Sequence, residues 1–482
     1  MTFRRRGETR RTFLAGVAAS PLAGRALANG EAILDDASRL NPTPVRKHLT
    51  MVPDRTEAMI AALRRELDDA RASGRAVCVS SARHSMGGQS LPRDGVAVTL
   101  AGEALEIDAA RRTYRVDAGM RWIEVVRRLD AHGFVPAVMQ SNSDFGVGAT
   151  FSVNAHGWSV PRGPFGTTVR SMRILLADGS LVECSPTREP DLFHLAMGGY
   201  GLVGIVVDLE VEMLPNELLA ATFATMPTTD FAKAFVRAVR QPDVRMAYGR
   251  LSVADTGFLS MATMATLRPV VPQPSPLPRM ERPWVAQALA RRVYRAQESG
   301  EAFKLLRWGA EAFVVPSIEM PPRTRSSILG EPVAALAGFD ASRTDILHEY
   351  FVPPDRLADF MAFCAKEIPK ADANFMNVTL RYLAEGDRSV LSYAPSERIA
   401  AVMSFSQDKT SSGEADMVRL TRRLIDGALA VGGSFYLPYR LHARDEQIAQ
   451  AYPKIAAFIE GKRRYDPKLA FRNAMWDRYL AN

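Results

Sequence analysis

The segment Gly198-Gly199-Tyr200-Gly201-Leu202-Val203-Gly204 constrains the fold of this chain more than any other. Gly199, Gly201 and Gly204 match the GxGxxG spacing letter for letter. A dinucleotide-binding turn of that kind must follow a strand and open a helix, so that a pyrophosphate meets the helix N-terminus. Here the glycines lead into Ile205-Val206-Val207-Asp208-Leu209, a strand, and no clear strand precedes them. The pattern therefore argues against a nicotinamide-binding Rossmann unit. What it retains is tight turning and close backbone approach, which suggest a ligand pressed against the main chain.

A second loop is better placed to hold an anion. Ala76-Val77-Cys78-Val79 is a short apolar strand, and it runs into Ser80-Ser81-Ala82-Arg83-His84-Ser85-Met86-Gly87-Gly88-Gln89-Ser90. Consecutive backbone N–H groups in such a small, polar loop make an anion nest, and Gly87-Gly88 let a backbone approach its guest. A pyrophosphate is the natural guest. Arg83 is either its counter-ion or a surface residue.

The chain has 482 residues, enough for two lobes rather than one core. It is 47% hydrophobic and 24% charged, the composition of a globular protein. No run reaches the length of a membrane span. The formal net charge is +8, but residues 1–28 hold six arginines against Glu8 and so carry five of those charges. A nucleic-acid binder loses most of its support with them. Thr9-Arg10-Arg11-Thr12-Phe13-Leu14, a short apolar stretch and Ala26-Leu27-Ala28 form a basic n-region, an h-region and a small-x-small cleavage site, in that order. Residues 1–28 are expected to be a twin-arginine signal peptide, and the mature protein periplasmic or secreted. Cys78, Cys184 and Cys364 are far apart and offer no metal site.

Along the chain, helical spacing predicts helices over Thr56–Arg71, with Asp54 or Thr56 as N-cap, and Trp122–Asp130. Gly146–Gly166 is dense in Gly, Ser and Asn. Arg173–Leu176 and Leu181–Cys184 form a hairpin about Asp178-Gly179. Beyond Pro215 a lobe of mixed helix and strand is expected. Its strands are Tyr248–Leu251, Phe258–Thr263, Ile346–Val352, Asn377–Tyr382 and Ala401–Phe405. Its helices are Asp230–Arg240, Trp284–Arg307, Pro354–Ile368, Glu414–Val431 and Asp445–Gly461. Pro269–Pro283, with six prolines, is irregular. Trp284–Phe313 is basic and partly amphipathic, either a solvated face or a surface for membrane or partner.

Four segments together resemble the vanillyl-alcohol-oxidase-type (PCMH-type) FAD-linked oxidoreductases, most of all their lactone, alditol and decaprenylphosphoryl-ribose oxidases. They are Ala82 to Ser90, Val147 to Gly157, Leu195 to Val206, and Arg464-Tyr465-Asp466-Pro467-Lys468 with Phe471. The resemblance implies an α+β, two-lobed fold. An FAD-binding lobe would comprise residues 41–214 and a C-terminal closing segment, 438–482. Residues 215–437 would be a substrate-binding cap. FAD would be held by Ala82, Arg83, His84, Ser85, Met86, Gly87, Gly88, Gln89 and Ser90, by Gly148, Ser152, Asn154, Ala155 and Gly157, and by Gly204, Ile205 and Tyr436. In many members a histidine at the position of His84 bonds covalently to the flavin, and the same is expected here. His156 matches a family histidine or is structural, and His348 and His442 are candidates to face the pocket.

The resemblance further implies oxidation of a CH–OH group of a sugar, alditol or aldonolactone by hydride transfer to flavin N5. Arg381 and Tyr439 are the catalytic candidates. Tyr439 stands where the decaprenylphosphoryl-ribose branch has a lysine, and Thr379 where the alditol branch has an acid, so neither pocket is copied fully. The electron acceptor is oxygen, a quinone or a cytochrome. Two alternatives stand: amine oxidation like that of cytokinin dehydrogenases, which a cap-lobe acid acting as base would favour, and a flavin-binding protein without turnover.

Overall fold

The computed structural model describes residues 25–26, 32–51, 57–280, 284–318, 320–332 and 340–481. Apart from Arg25–Ala26, which pair with Ala32–Leu34, the expected signal segment lies outside the described residues, as do Asp54 and Thr56.

The first lobe holds two larger layers. Lys47–Met51, Val96–Leu100 and Val77–Ser80 form a parallel sheet with Val96–Leu100 in the middle. Parallel strands need a crossover, and the helix Glu57–Ser73 carries the chain from Lys47–Met51 to Val77–Ser80, the two outer strands. Its buried stripe, Ile60, Leu63, Leu67 and Ala70, has the i, i+3, i+4 spacing of one helix face and packs into a cluster with Val77 and Val98. The second sheet is antiparallel, ordered Leu181–Cys184, Val169–Leu175, Ile205–Pro215, Thr113–Asp117, Leu105–Asp108. Its central strand follows directly from the glycine turn. The helix Trp122–Asp130 buries Trp122, Val125, Val126 and Leu129. The hairpin forms, but Asp178-Gly179 sits within a longer connection than a two-residue turn, between Leu175 and Leu181.

The cap is an eight-stranded antiparallel sheet, ordered Arg323–Thr324, Leu218–Pro227, Met261–Pro269, Met246–Leu251, Asn374–Leu383, Arg398–Asp408, Arg343–Val352, Ser434–Phe435. Side chains alternate across it. On one face Tyr350 meets Phe360 at 5.3 Å between rings, and His348 reaches Thr421, both partners lying on helices (Leu357–Glu367 and Ser411–Ala430). On the opposite face Glu349 and Arg381 look toward the first lobe, with Val402 paired to both Thr379 and Glu349 between them.

Three expected elements differ. The strand expected over Phe258–Thr263 runs Met261–Pro269, because Phe258 still belongs to the preceding turn. The helix expected over Trp284–Arg307 is two, Trp284–Ala296 and Glu301–Gly309, parted at Gly300 with φ of +131°. The helix expected over Asp445–Gly461 is also two, Asp445–Ala451 and Ile455–Tyr465. Pro453 between them has no N–H to continue the ladder. Beyond the second helix the chain returns to the first lobe. Phe471 pairs in parallel with Val77, whose N–H donates to the Ala470 carbonyl at 2.7 Å.

The three cysteines are free and buried, and burial pushes the Cys78 and Cys184 thiols up to about 12. Within the segment expected to be amphipathic, Leu306 is 70% exposed and Phe313 65%. Among the described residues no helix is long and apolar enough to cross a membrane, and no group of three metal-ligating side chains is found.

Candidate functional site

A cavity of about 1400 Å³, its open mouth included, runs between the two lobes. Of the expected site residues, Ala82, Arg83, His84, Ser85, Gln89, Ser90, Gly148, Ser152, Ala155, Gly204, Ile205 and Tyr436 line it, as do Arg381 and Tyr439. Residues from four distant stretches of sequence thus share one space.

The anion nest is displaced from where the glycines suggested. Met86, Gly87 and Gly88 do not line the cavity, and their N–H groups are already used. Met86 N–H donates to the Pro438 carbonyl at 2.8 Å, Gly87 N–H to Gln89 Oε1 at 2.8 Å and Gly88 N–H to Asp36 Oδ2 at 2.8 Å. The preceding residues, Ala82 to Ser85, donate from no backbone N–H to any described protein acceptor. Arg83 holds a left-handed φ of +52°, the kind of turn that gathers successive N–H groups on one side. Arg83 Nε and Ser90 Oγ, buried in the same wall, have no protein partner either. Buried donors without partners are costly, so this end of the cavity is built for a polar, anionic guest. The closing segment fixes the loop: Gln89 Nε2 donates to the Leu437 carbonyl at 2.6 Å, and Asn473 Nδ2 to the Gln89 carbonyl at 2.9 Å.

His84 follows the turn. Its ring lies 4.4 Å from that of Phe145, and burial, with the charge of Arg121, holds its imidazole down to about 4. It is therefore neutral at physiological pH. Arg121 ties the loop to the opposite wall through the Ser81 and Asp144 carbonyls, at 3.1 and 2.9 Å.

Two further expected residues, Asn154 and Gly157, do not line the cavity. Asn154, at φ +48°, donates to Asp387 Oδ1 at 2.9 Å and accepts from Gly166 N–H at 2.9 Å, which spends its amide on structure. A Cβ on Gly157 would stand 1.9 Å from the Met139 carbonyl oxygen, so that glycine serves packing between backbones. His348 and His442 face away from the cavity and both meet Thr421 under the cap helix, at 3.2 and 3.0 Å.

The far end of the cavity holds the reactive groups. Arg381 donates to Ser141 Oγ at 2.7 Å. Tyr439 donates to Glu349 Oε2 at 3.1 Å, and His156 Nε2 lies 2.5 Å from Glu349 Oε1. The Glu349 side chain is 2% exposed and that of His156 3%. Burial raises the Glu349 carboxyl, but His156, Arg381 and Tyr439 outweigh it and hold the group below the usual carboxylate range. Burial and the neighbouring Glu349 charge push the Tyr439 phenol well above its ordinary value. Glu349 and Ser141 were not among the expected residues. The one signal for Glu349 is His348-Glu349-Tyr350, polar side chains inside an otherwise apolar strand.

Residues 52–185, which contain the nest, His84 and Phe145, match the family model described as FAD binding domain. This part of the chain is an FAD-binding domain. Its free donors at Ala82–Ser85 fit a pyrophosphate, its neutral His84 lies beside them, and the small residues Gly148, Ser152 and Ala155 also line the cavity. The chain is 32% identical over 143 residues to rice (Oryza sativa subsp. japonica) L-galactono-1,4-lactone dehydrogenase 2, mitochondrial, covering 29% of this chain and 24% of that protein. It is 32% identical over 143 residues to the alditol oxidase of a Streptomyces species, covering 29% and 34%. It is 30% identical over 175 residues to rice cytokinin dehydrogenase 2, covering 34% and 31%. The matches thus span a quarter to a third of these relatives' own length.

Proposed function

We propose that this protein is an FAD-dependent oxidoreductase that oxidises a CH–OH group of a sugar, alditol or aldonolactone. The observation that carries the reading is that one cavity joins the FAD-binding nest to a polar cluster on the cap sheet, Arg381 with Ser141 and Tyr439 with Glu349. Bound FAD supplies a hydride acceptor. The protein's own residues bind and orient the substrate. Arg381 and Ser141 are donors for its oxygen atoms, Tyr439 and Glu349 hydrogen-bond the hydroxyl that reacts, and the cap sheet excludes water behind them. The relatives named for lactones and alditols support this class.

One observation favours a second reading. Glu349 is a buried cap-lobe carboxylate, and such an acid suits the oxidation of an amine, as the likeness to a cytokinin dehydrogenase also suggests. The test is anaerobic bleaching of the flavin by a panel of alditols, aldonolactones, sugars and secondary amines. Bleaching by the hydroxyl compounds supports the first reading and bleaching by the amines alone the second. No bleaching by any member leaves a flavin-binding protein without turnover. Reoxidation by oxygen, a quinone or cytochrome c then identifies the acceptor.

Two finer points belong to the same proposal. His84 bonds FAD covalently, since a neutral imidazole beside the nest is the nucleophile such a link requires. The protein is exported through the twin-arginine route, which carries folded, cofactor-loaded enzymes. Acid precipitation tests the first, since covalent flavin stays with the pellet. Fractionation of cells expressing the full chain and an Arg10→Lys/Arg11→Lys variant tests the second.

A further inference from the structure

The cluster at the cap end contains more than a binding site needs. Glu349 comes from the cap and His156 from the FAD-binding lobe, and they meet at 2.5 Å with both side chains almost wholly buried. A carboxylate only accepts hydrogen bonds, so His156 Nε2 carries the hydrogen. His156 Nδ1 is buried without a partner. The ring is therefore held by Glu349 on one side and by aromatic neighbours, Phe351 at 5.4 Å and Tyr436 at 6.3 Å between ring centroids. Burying a carboxylate is expensive unless it is paired and further bonded. Tyr439 supplies the second bond to the carboxylate, and Arg381 a nearby positive group.

We propose that Glu349 is the group that takes the proton of the substrate hydroxyl, and that His156 is the positioning residue that keeps it ready, joining the two lobes as it does so. The inference rests on the CH–OH reading above. The alternatives in reach fail on chemistry. Arg381 has no lone pair to accept a proton. Tyr439 keeps its own proton, because its phenol is pushed far above neutrality and already donates to Glu349. His156 has its Nε2 committed to Glu349, and its Nδ1 is buried without a partner. Glu349 lines the cavity, is unprotonated at neutral pH, and has Oε2 turned to Tyr439 at the substrate end. The charged and titratable groups that face it are His156, Arg381 and Tyr439, with the buried phenols of Tyr200, Tyr393, Tyr436 and Tyr452 beyond.

The step balances. The hydroxyl O–H bond breaks and its proton goes to Glu349 Oε2. The C–H electron pair leaves as hydride to the acceptor named above, and the carbon becomes a carbonyl. The carboxyl group then stands protonated beside His156 until solvent takes the proton.

The test uses the purified holoenzyme and the variants Glu349→Gln, Glu349→Asp and His156→Gln, each first checked for flavin content by its absorbance. Infrared difference spectra are taken on anaerobic reduction by the bleaching substrate found in the panel, and on reduction by dithionite. In the wild type, substrate reduction should give a protonated-carboxyl band that ¹³C-labelled glutamate shifts and Glu349→Gln removes. The rate of flavin reduction by substrate should fall about 10²- to 10⁴-fold in Glu349→Gln, and Glu349→Asp should recover part of it. Dithionite should reduce all four proteins alike. In His156→Gln the acid limb of the rate profile should move up toward the ordinary carboxylate range, a shift that lost packing alone does not produce. A wild type that no panel member reduces overturns the oxidoreductase reading, and the proton acceptor with it. A wild type that is reduced, while Glu349→Gln is reduced equally fast or lacks no carboxyl band, overturns the role of Glu349 alone.

Discussion

Lys462 and Asp466 form an ion pair in which neither side chain retains any exposed surface. The pair lies where the chain turns back to the FAD-binding lobe. Asp466 also accepts from the N–H groups of Ala470 and Phe471, both at 2.8 Å, which fixes the residue that pairs with Val77. The ammonium sits 5.7 and 5.5 Å from the ring centres of Phe471 and Trp476. Replacing Asp466 by Asn leaves the Lys462 charge buried without its counter-ion and takes away one of the two oxygens that accept the backbone N–H groups. Asp466→Asn should therefore cost about 3–5 kcal/mol of stability, read from urea unfolding, and the purified variant should carry less flavin.

Gly157 follows His156 and lies against the Met139 backbone. A methyl group there meets a carbonyl oxygen that cannot swing aside as a side chain would. Gly157→Ala should lower stability by at least about 1–3 kcal/mol and disturb the neighbouring His156–Glu349 contact. Differential scanning calorimetry measures the first effect. The same substitution at Gly133, which has φ of +78° but no atom near its absent Cβ, strains only the backbone and should cost about 1 kcal/mol.

Arg381 presents a planar fork to Ser141 and the cavity. Arg381→Ala should reduce kcat/KM for the bleaching substrate on the order of 10²-fold. Arg381→Lys should restore only part of the loss, because a point charge does not reproduce two directed N–H groups. Stopped-flow reduction over a range of substrate concentrations separates binding from the chemical step.

Glu414 reports on the acid side of the stability curve. Burial would raise its carboxyl, but the hydrogen bond from His442 and the charge of Arg440 prevail and bring it down to about 2. A carboxylate whose folded value is depressed stabilises the fold at pH above its unfolded value near 4.5, and that contribution is lost as pH falls toward 2. Its side chain is 29% exposed, so solvent screening leaves about 1–2 kcal/mol of the effect. Urea midpoints at pH 6 and pH 3 should differ less for Glu414→Gln than for the wild type.

The FAD-binding loop was legible in the sequence because its constraint is local: a strand must end, turn and expose N–H groups within a few residues. The direction of Gly199 to Gly204 was legible for the same reason, since the residues that follow set strand or helix. Which N–H groups stay free was not. Asp36 and Pro438, far away in sequence, take those of Gly88 and Met86, and so the nest falls on Ala82 to Ser85 rather than on the glycines. Glu349 stayed hidden for a related reason. Alternation shows that it and His348 lie on opposite faces of a strand, but not which face meets the cavity, and that was settled only when His156 and Tyr439 arrived from other parts of the chain. The breaks at Gly300 and Pro453 carried a local signal, a glycine and a proline inside helical spacing.

The pairing of Val77 with Phe471 has a consequence for how the protein is made. Val77 emerges from the ribosome long before Phe471. Until then the parallel sheet has an open edge beside the loop that will grip the cofactor, and Gln89 lacks the carbonyls that steady it. Open edges of this kind invite the wrong neighbour. The cofactor loop thus reaches its final form only after residues far apart in the chain have met.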